Sequence, residues 1–173
     1  MKLENRYFGK VLVFKIKKYN DKRGSFFETY NKEKIKRFIK KNFTYDAVSI
    51  NKKNVFRGLH YQTKLKQSKL VQVLKGKIID IIVDVKKNSK TFLKYKKILL
   101  SDKNNRVVYI PEGFAHGFLV LSEVAVISYK ITGKYKKSYE KTLFWNDKKL
   151  KLKLLKKIQH KLIFSKKDRE KKN

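Results

Sequence analysis

The chain has 173 residues, a net charge of +33, 41% hydrophobic residues and no cysteine. The apolar content excludes a disordered polyelectrolyte, the absence of cysteine excludes disulfides and thiolate metal sites, and no segment resembles a secretory signal or a membrane span. We therefore expect a cytoplasmic protein without a membrane partner, with a single domain over residues 1–168 and a basic tail over 169–173.

The hydrophobic pattern predicts short β-strands along most of the chain. Alternation with period two, as in VLVFKIK, is typical of a half-buried strand. Strands are predicted over 11–17, on both sides of Gly76 within 70–85, over 92–100, over 106–110 and on both sides of Ser122 and Glu123. Many short β-branched strands separated by evenly spaced turns indicate a β-sandwich or jelly roll.

Three segments depart from this strand pattern. Apolar residues at helical spacing predict one short helix over 32–40. The block PEGFAHG, residues 111–117, contains the only proline and two glycines and predicts a turn. In residues 147–160 the leucines alternate as in a strand, but the surrounding lysines leave the structure of this segment open.

The high positive charge predicts attraction to polyanions and salt-sensitive, non-specific binding to nucleic acid. The lysines are nevertheless spread along the whole chain, and no arginine-fork or base-stacking module is visible. A specific nucleic-acid partner is therefore not expected. A non-catalytic basic protein that binds polyanions stays open as an alternative function.

Residues 55–62, VFRGLHYQ, place one of the three histidines beside an arginine in a predicted buried strand. His60 is either a packed imidazole without a chemical role or an acid–base group next to an anion-binding guanidinium, that of Arg57. The residues by themselves leave both interpretations open.

Seven blocks occur in one order along the chain: DKRGSFFETY, SINKKNVFRGLHYQ, QSKLVQVLKGKIIDIIVDV, PEGFAHGFLVLSE, SYKIT, FWND and FSKKD. In these blocks the chain resembles the dTDP-4-dehydrorhamnose 3,5-epimerase family over roughly residues 5–168. The resemblance implies a mainly β, cupin-like double-stranded β-helix (jelly roll) with a few short peripheral helices. It also implies a homodimer that needs no metal or other cofactor.

The activity that the resemblance implies is the conversion of dTDP-4-dehydro-6-deoxy-D-glucose to dTDP-4-dehydro-L-rhamnose, by inversion of C3 and C5 beside the C4 ketone. By the match, His60 removes the proton and Asp168 holds its imidazole. Lys69 lies near the C4 oxygen, where an ammonium stabilises an enolate. Tyr129 is the general acid on the opposite face, mainly for the C5 step.

Other positions match the family's substrate contacts. Arg23, Phe26 and Glu28 of the first block are implied to hold the dTDP part and to reach across to a neighbouring subunit. A guanidinium can fork onto a phosphate, and Arg57 is implied to lie near the diphosphate and the sugar. The remaining predicted contacts are Ser49, Gln62, His116, Glu140 and Lys167.

The three histidines do not predict a metal site. Only His60 and His116 could take part, and no HxH pair or nearby glutamate completes a ligand set. His116 is therefore expected to contact substrate, and His160, in a basic stretch, is expected on the surface.

The chain departs from the family pattern in two places. The family usually has Gln-x-Asn-x-Ser ahead of the RGLH block, whereas counting back from Arg57 gives Tyr45 and Ala47 in place of the two amides. This leaves open an epimerase that inverts only C3 or acts on another nucleotide-linked 4-keto sugar. The prolines that usually follow WND are missing, which loosens the register into FSKKD and with it the assignment of Asp168.

Overall fold

The computed structural model describes residues 1–154 and 159–169. Two ranges lie outside the described residues. They are 155–158, within the segment 147–160 whose structure the sequence did not predict, and 170–173, most of the predicted basic tail. No helix of the described ranges is long and apolar enough to cross a membrane. The strands are β1 Lys2–Tyr7, β2 Val11–Lys15, β3 Lys18–Asp21, β4 Gly24–Phe27, β5 Tyr45–Lys52, β6 Phe56–Gln62, β7 Lys69–Lys75, β8 Lys77–Asp84, β9 Tyr95–Ser101, β10 Arg106–Ile110, β11 Phe114–Val120, β12 Val124–Ile131 and β13 Glu140–Thr142; helix α1 is Lys32–Ile35 and a 3-10 turn is Lys137–Tyr139.

Two antiparallel sheets form the body of the molecule, in agreement with the predicted jelly roll. The six-stranded sheet has the order β1-β2-β10-β7-β12-β5, and the five-stranded sheet has the order β13-β6-β11-β8-β9. Apolar residues from both sheets share one buried cluster, so the sheets pack face to face. A separate two-stranded ribbon, β3-β4, stands apart from them.

Strand β2 shows why apolar alternation specifies this packing. Successive side chains of a strand point to opposite faces. Val11 and Val13 therefore join the cluster between the sheets, whereas Leu12 and Phe14 join a second cluster with Ile35 of α1. Burial on both faces explains the nearly continuous apolar run of this strand.

The predicted helix exists but is shorter than expected. It ends at Ile35, and the amides of Phe38 and Ile39 both donate to the Ile35 carbonyl in a turn. Phe38 then packs edge-on against Phe14, with ring centroids 5.6 Å apart. The apolar spacing of residues 32–40 is thus satisfied by one helical turn followed by an irregular one.

The predicted turn at 111–117 is too long, because β11 begins at Phe114 and includes His116. Gly117 belongs to the strand for a steric reason. A Cβ on Gly117 would lie 2.5 Å from the Arg57 carbonyl oxygen, and a Cβ on Gly58 would lie 2.6 Å from the Cα of Gly117. The two glycines let β6 and β11 approach closely, and His60 and His116 become paired neighbours across the two strands.

The C-terminal segment docks through aromatic packing. Trp145 stacks on Phe164 with 5.9 Å between ring centroids, and Phe164 also lies 5.6 Å from the ring of Phe56 in β6. In residues 147–154 no strand forms, although Leu150 and Leu154 are buried in the same cluster. This packing brings residues 163–168 against β6.

Candidate active site

His60 and Asp168 form a hydrogen-bonded pair although 108 residues separate them. The imidazole Nε2 lies 2.6 Å from the Asp168 Oδ1, and the carboxylate is buried. Burial raises the pKa of Asp168, but the hydrogen bond and charge of His60 outweigh it and the net shift is downward. An ionised Asp168 accepts the Nε2–H, so Nδ1 is the ring nitrogen that remains to take up a proton.

Two cavities meet at this histidine. The larger, of about 230 Å³, is also lined by Arg57, Ser49 and Tyr129, and the smaller, of about 150 Å³, by Tyr45 and Glu140 among others. His60, Lys69, His116 and Ile131 line both cavities. The reacting part of a ligand in either cavity would therefore meet the same three basic side chains.

Lys69 begins β7 and has no ion pair within the described ranges. Burial lowers the pKa of its ammonium, against the opposing charges of Glu140 and Asp80. A partly desolvated ammonium without a carboxylate partner is suited to stabilising a negative oxygen that forms in the cavity.

Tyr129 enters the larger cavity from β12, in the sheet that faces His60. Burial raises the pKa of its phenol to about 12, and the hydroxyl lies 3.2 Å from the Ser49 hydroxyl. The phenol therefore keeps its proton near neutral pH. A protonated donor and an imidazole base approach one cavity from opposite sheets.

A second histidine–aspartate pair lies beside the first. His116 Nε2 is 2.6 Å from the Asp80 Oδ1, and both side chains are buried. Asp80 is absent from the sequence predictions. Its signal is the block IIDIIVDV, where a carboxylate within an apolar strand requires a partner.

A family model described as dTDP-4-dehydrorhamnose 3,5-epimerase matches residues 7–173. The chain belongs to this family. It is 45% identical to the dTDP-4-dehydrorhamnose 3,5-epimerase of Salmonella typhimurium, covering 79% of this chain and 76% of that one. The Methanothermobacter thermautotrophicus protein of the same name is 38% identical, over 92% and 86% of the two chains.

Solved structures agree with the sequence relatives. A dTDP-6-deoxy-D-glucose-3,5-epimerase from Legionella pneumophila, in complex with dTDP-4-keto-L-rhamnose, superposes with a TM-score of 0.89 at 35% identity, covering 96% of this chain and 89% of that one. A Bacillus anthracis epimerase with TDP and PPi bound gives a TM-score of 0.87 at 33% identity, covering 96% and 95%. The predicted family, fold and enzyme class of this epimerase are thereby confirmed.

The block DKRGSFFETY, residues 21–30, does not line either cavity of its own chain. Arg23 pairs with Asp21 at 2.7 Å, and Phe26 of β4 is 71% exposed. Glu28 accepts from Lys34 and from Asn31. None of the three predicted contacts of this block lines either cavity in the described part of the chain.

Three other predicted contacts lie beside His60, where β13 pairs with β6. Gln62 uses its amide for three backbone bonds: it donates to the carbonyls of Leu65 and Lys134 and accepts from the Lys136 amide. Glu140 accepts from the Lys167 ammonium at 2.7 Å. The contacts of Gln62 favour a structural role, and its predicted substrate contact stays a prediction.

The two departures from the family pattern both face the site. Tyr45 lines the smaller cavity, and its hydroxyl accepts from the Gln67 amide at 2.8 Å. Ala47 lines the larger cavity and is paired with Tyr129 across β5 and β12. The replaced positions therefore border the space that a ligand would fill.

His160, the third histidine, is exposed as predicted. Over residues 1–154 and 159–169, no group of three or more His, Cys, Asp or Glu side chains is arranged to hold a metal ion. Each of the two site histidines instead contacts one aspartate.

Proposed function

We propose that this epimerase inverts C3 and C5 of dTDP-4-dehydro-6-deoxy-D-glucose to give dTDP-4-dehydro-L-rhamnose, with His60 and Tyr129 acting on opposite faces of the sugar. Membership of the family supports the reaction. The observation that supports the roles is the cavity itself, where an aspartate-bound imidazole and a protonated phenol approach from facing sheets beside Lys69.

The first step is removal of a proton from the carbon next to the C4 ketone. Nδ1 of His60 takes the proton, and the ionised Asp168 stabilises the imidazolium that results. The electron pair of the broken C–H bond moves onto the C4 oxygen, which becomes an enolate. The ammonium of Lys69 stabilises this oxygen.

The second step restores the ketone with the opposite configuration. The enolate carbon takes the proton of the Tyr129 hydroxyl from the other face, and the C4 oxygen loses its negative charge. His60 has then gained one proton and Tyr129 has lost one, and exchange with water returns both to their starting states. C3 and C5 are each inverted by such a removal and return of a proton, and Tyr129 acts mainly in the C5 step.

The nucleotide part of the substrate is proposed to lie at the Arg57 end of the larger cavity. Arg57 is exposed and has no ion pair in the described ranges, so its guanidinium can bind the diphosphate with parallel hydrogen bonds. The relatives from Legionella pneumophila and Bacillus anthracis, solved with a dTDP-sugar and with TDP, support a nucleotide-sugar ligand.

A homodimer is part of the same proposal. Strand β5 is the edge of the six-stranded sheet, and its outer face carries Val48 and Ile50, the latter 74% exposed. A second copy would cover this apolar face and could bring its own Phe26 and Arg23 to the site. Exposed strand edges with apolar side chains favour pairing with another chain.

The dimer is tested by sedimentation of Ile50→Lys against a matched change on the other sheet. Leu99→Lys places the same charge on β9, where Leu99 is also exposed. We expect the wild type and Leu99→Lys to sediment as dimers and Ile50→Lys as a monomer. A monomeric wild type, or an unaffected Ile50→Lys dimer, would contradict the proposed interface.

Two further expectations stay proposals. A single domain over 1–168 is supported by the cluster that both sheets share and by the docking of Phe164 at the C-terminal end. A cytoplasmic location is supported by the absence of cysteine.

The reaction is tested by incubating the protein with dTDP-4-dehydro-6-deoxy-D-glucose in heavy water and locating deuterium by mass and NMR. We expect label at C3 and C5, lost in His60→Ala, kept in the control His160→Ala and reduced at C5 in Tyr129→Phe. Label at C3 alone would mean a single inversion. Absence of label, together with binding of nucleic acid that collapses with salt, would favour a polyanion-binding protein.

A further inference from the structure

The hydroxyl of Tyr129 is the end of a line of three hydrogen-bonded side chains. The Asn51 amide nitrogen donates to the Ser49 hydroxyl oxygen at 2.9 Å. The Ser49 hydroxyl in turn lies 3.2 Å from the Tyr129 hydroxyl. Ser49 and Asn51 are alternate residues of β5, so their side chains point to the same face, and β12 holds Tyr129 beside them.

The contacts of Asn51, the buried residue of this line, decide which groups donate and which accept. The Asn51 nitrogen also contacts the Ala125 carbonyl oxygen at 3.4 Å, and a carbonyl can only accept. The group next to Ser49 is therefore the NH₂ of Asn51, and the Ser49 oxygen is an acceptor there. The single proton of the Ser49 hydroxyl remains available for Tyr129.

Asn51 does not occupy its position for packing alone. Its side chain is 4% exposed, and its amide oxygen has no hydrogen-bond partner within the described ranges. A buried carbonyl without a partner is unfavourable, and an apolar residue of similar size would avoid this cost. The bonds that Asn51 does make lead to Ser49 and Ala125, and through Ser49 to Tyr129.

We propose that Ser49 and Asn51 are positioning residues that stabilise the phenolate left on Tyr129 after it has given its proton to the sugar. The proposal rests on the role of Tyr129 in the proposed function. Once the phenol is ionised, the Ser49 hydroxyl donates to it, while the Asn51 amide holds the Ser49 oxygen in place. Ser49, expected as a substrate contact, then acts through Tyr129.

The surroundings of Tyr129 explain why such a donor is needed. Burial and the charge of Asp80 on β8 disfavour the phenolate, whereas Arg57 on β6 favours it. The imidazole of His116 on β11 presents an edge at 6.5 Å between ring centroids. Ser49 supplies the hydrogen bond to the phenol, and this bond acts against burial by lowering the pKa of Tyr129.

The test measures the ionisation of position 129 directly. Tyr129 is replaced by a fluorinated tyrosine, which ionises at lower pH than tyrosine, and its fluorine NMR signal is followed against pH. We expect Ser49→Ala to raise this pKa by about one unit, the loss of one hydrogen bond to a charged group. Ser49→Thr, which keeps the hydroxyl, should restore it, and Asn51→Leu should raise it by less.

A matched serine serves as the control. The hydroxyl of Ser68 lies 3.3 Å from that of Tyr109, so Ser68→Ala removes a similar bond from another buried tyrosine. The signal at position 129 should not respond to Ser68→Ala. If Asn51→Leu fails to fold, Asn51→Ala makes the same comparison.

Deuterium exchange separates this proposal from the function on which it rests. In Ser49→Ala, label at C5 should enter about tenfold more slowly than in the wild type, with a smaller change at C3. An unchanged titration at position 129 in folded Ser49→Ala would overturn the proposal even when the wild type labels both carbons. Failure of the wild type to label either carbon would overturn the function, while the titration would still report the line of bonds.

Discussion

Two histidine–aspartate pairs stand side by side in this epimerase, and they are built differently. Both have 2.6 Å between Nε2 and the carboxylate oxygen. The His116 pair lies within one sheet, since Asp80 is on β8 and β8 is paired with β11. The His60 pair joins β6 to residues 163–168, which pack on the sheet through Phe164 and form an isolated β-bridge between Ile163 and Val55.

The surroundings of the two pairs differ as well. The side chain of His60 is 14% exposed and that of His116 only 5%. Asp168 also accepts weakly from the Gly58 amide, whereas one oxygen of Asp80 has no partner in the described ranges. Equal bond lengths therefore do not imply equal roles: the more accessible pair is suited to proton transfer, and the buried pair to holding the cavity wall.

The largest expected effect separates the two histidines. His60→Ala removes the proposed base and should lower kcat by about 10³-fold. His116→Ala should lower kcat by about tenfold and raise KM, because a wall contact is lost. Steady-state kinetics with the nucleotide sugar measure both. Equal losses in kcat would end the distinction between the pairs.

The next effect concerns the carboxylates. Asp168→Asn can no longer stabilise an imidazolium, and we expect kcat to fall by about 10²-fold in a folded protein. Asp80→Asn keeps an acceptor for the His116 Nε2–H, so its kcat should stay within about fivefold of the wild type. A larger loss in Asp80→Asn than in Asp168→Asn would reverse the assignment.

Lys69, which lines both cavities together with His60 and His116, should control the alkaline limb of the pH profile. Burial lowers the pKa of Lys69, so the ammonium is lost as the pH rises through a value below its usual one, and kcat should decline there. Tyr129, with a pKa of about 12, remains protonated over this range. Lys69→Arg should lower kcat by about tenfold but move the decline to higher pH. A decline that stays in place would assign it to another group.

The smallest effect is on stability in acid. The pKa of Asp168 is lower in the folded protein than in the unfolded chain, so its contribution is present above the unfolded value of about 3.9 and is lost as the pH falls through the folded value. In urea unfolding, the free energy of unfolding of the wild type should exceed that of Asp168→Asn by about 1 kcal/mol near neutral pH. The two free energies should converge as the pH falls below about 4. A constant difference would mean that the carboxylate is not ionised in the fold.

Local patterns carried much of the prediction. The alternation in VLVFKIK and the break at Gly76 correspond to β2 and to the boundary between β7 and β8. Strand periodicity is a property of neighbouring residues, so it can be read without knowledge of the fold. The motif blocks, RGLHYQ above all, indicated the family and its reaction because each is short and contiguous.

Only the tertiary structure decided which residues of the separate sequence blocks come into contact. The missing prolines after WND left the register between WND and FSKKD open. In the structure, Phe164 stacks on Trp145, and this packing places Asp168 within hydrogen-bond distance of His60. The partner of Asp80 could not be read from the sequence, because His116 belongs to another strand. The end of α1 likewise depends on the packing of Phe38 against Phe14.

The sequence by itself thus determined most strands of the two sheets, the family and the identity of the chemical groups, whereas β1, the β3-β4 ribbon, β5 and β13 were not predicted. Only the folded chain decided which carboxylate meets which imidazole, and that Ser49 and Asn51 lie in line with Tyr129. The physical reason is the separation along the chain between the residues that interact. Periodicity and motifs report interactions between residues that are close in the chain, whereas a site assembled from β5, β6, β7, β12 and the C-terminal segment depends on contacts between residues that only packing brings together.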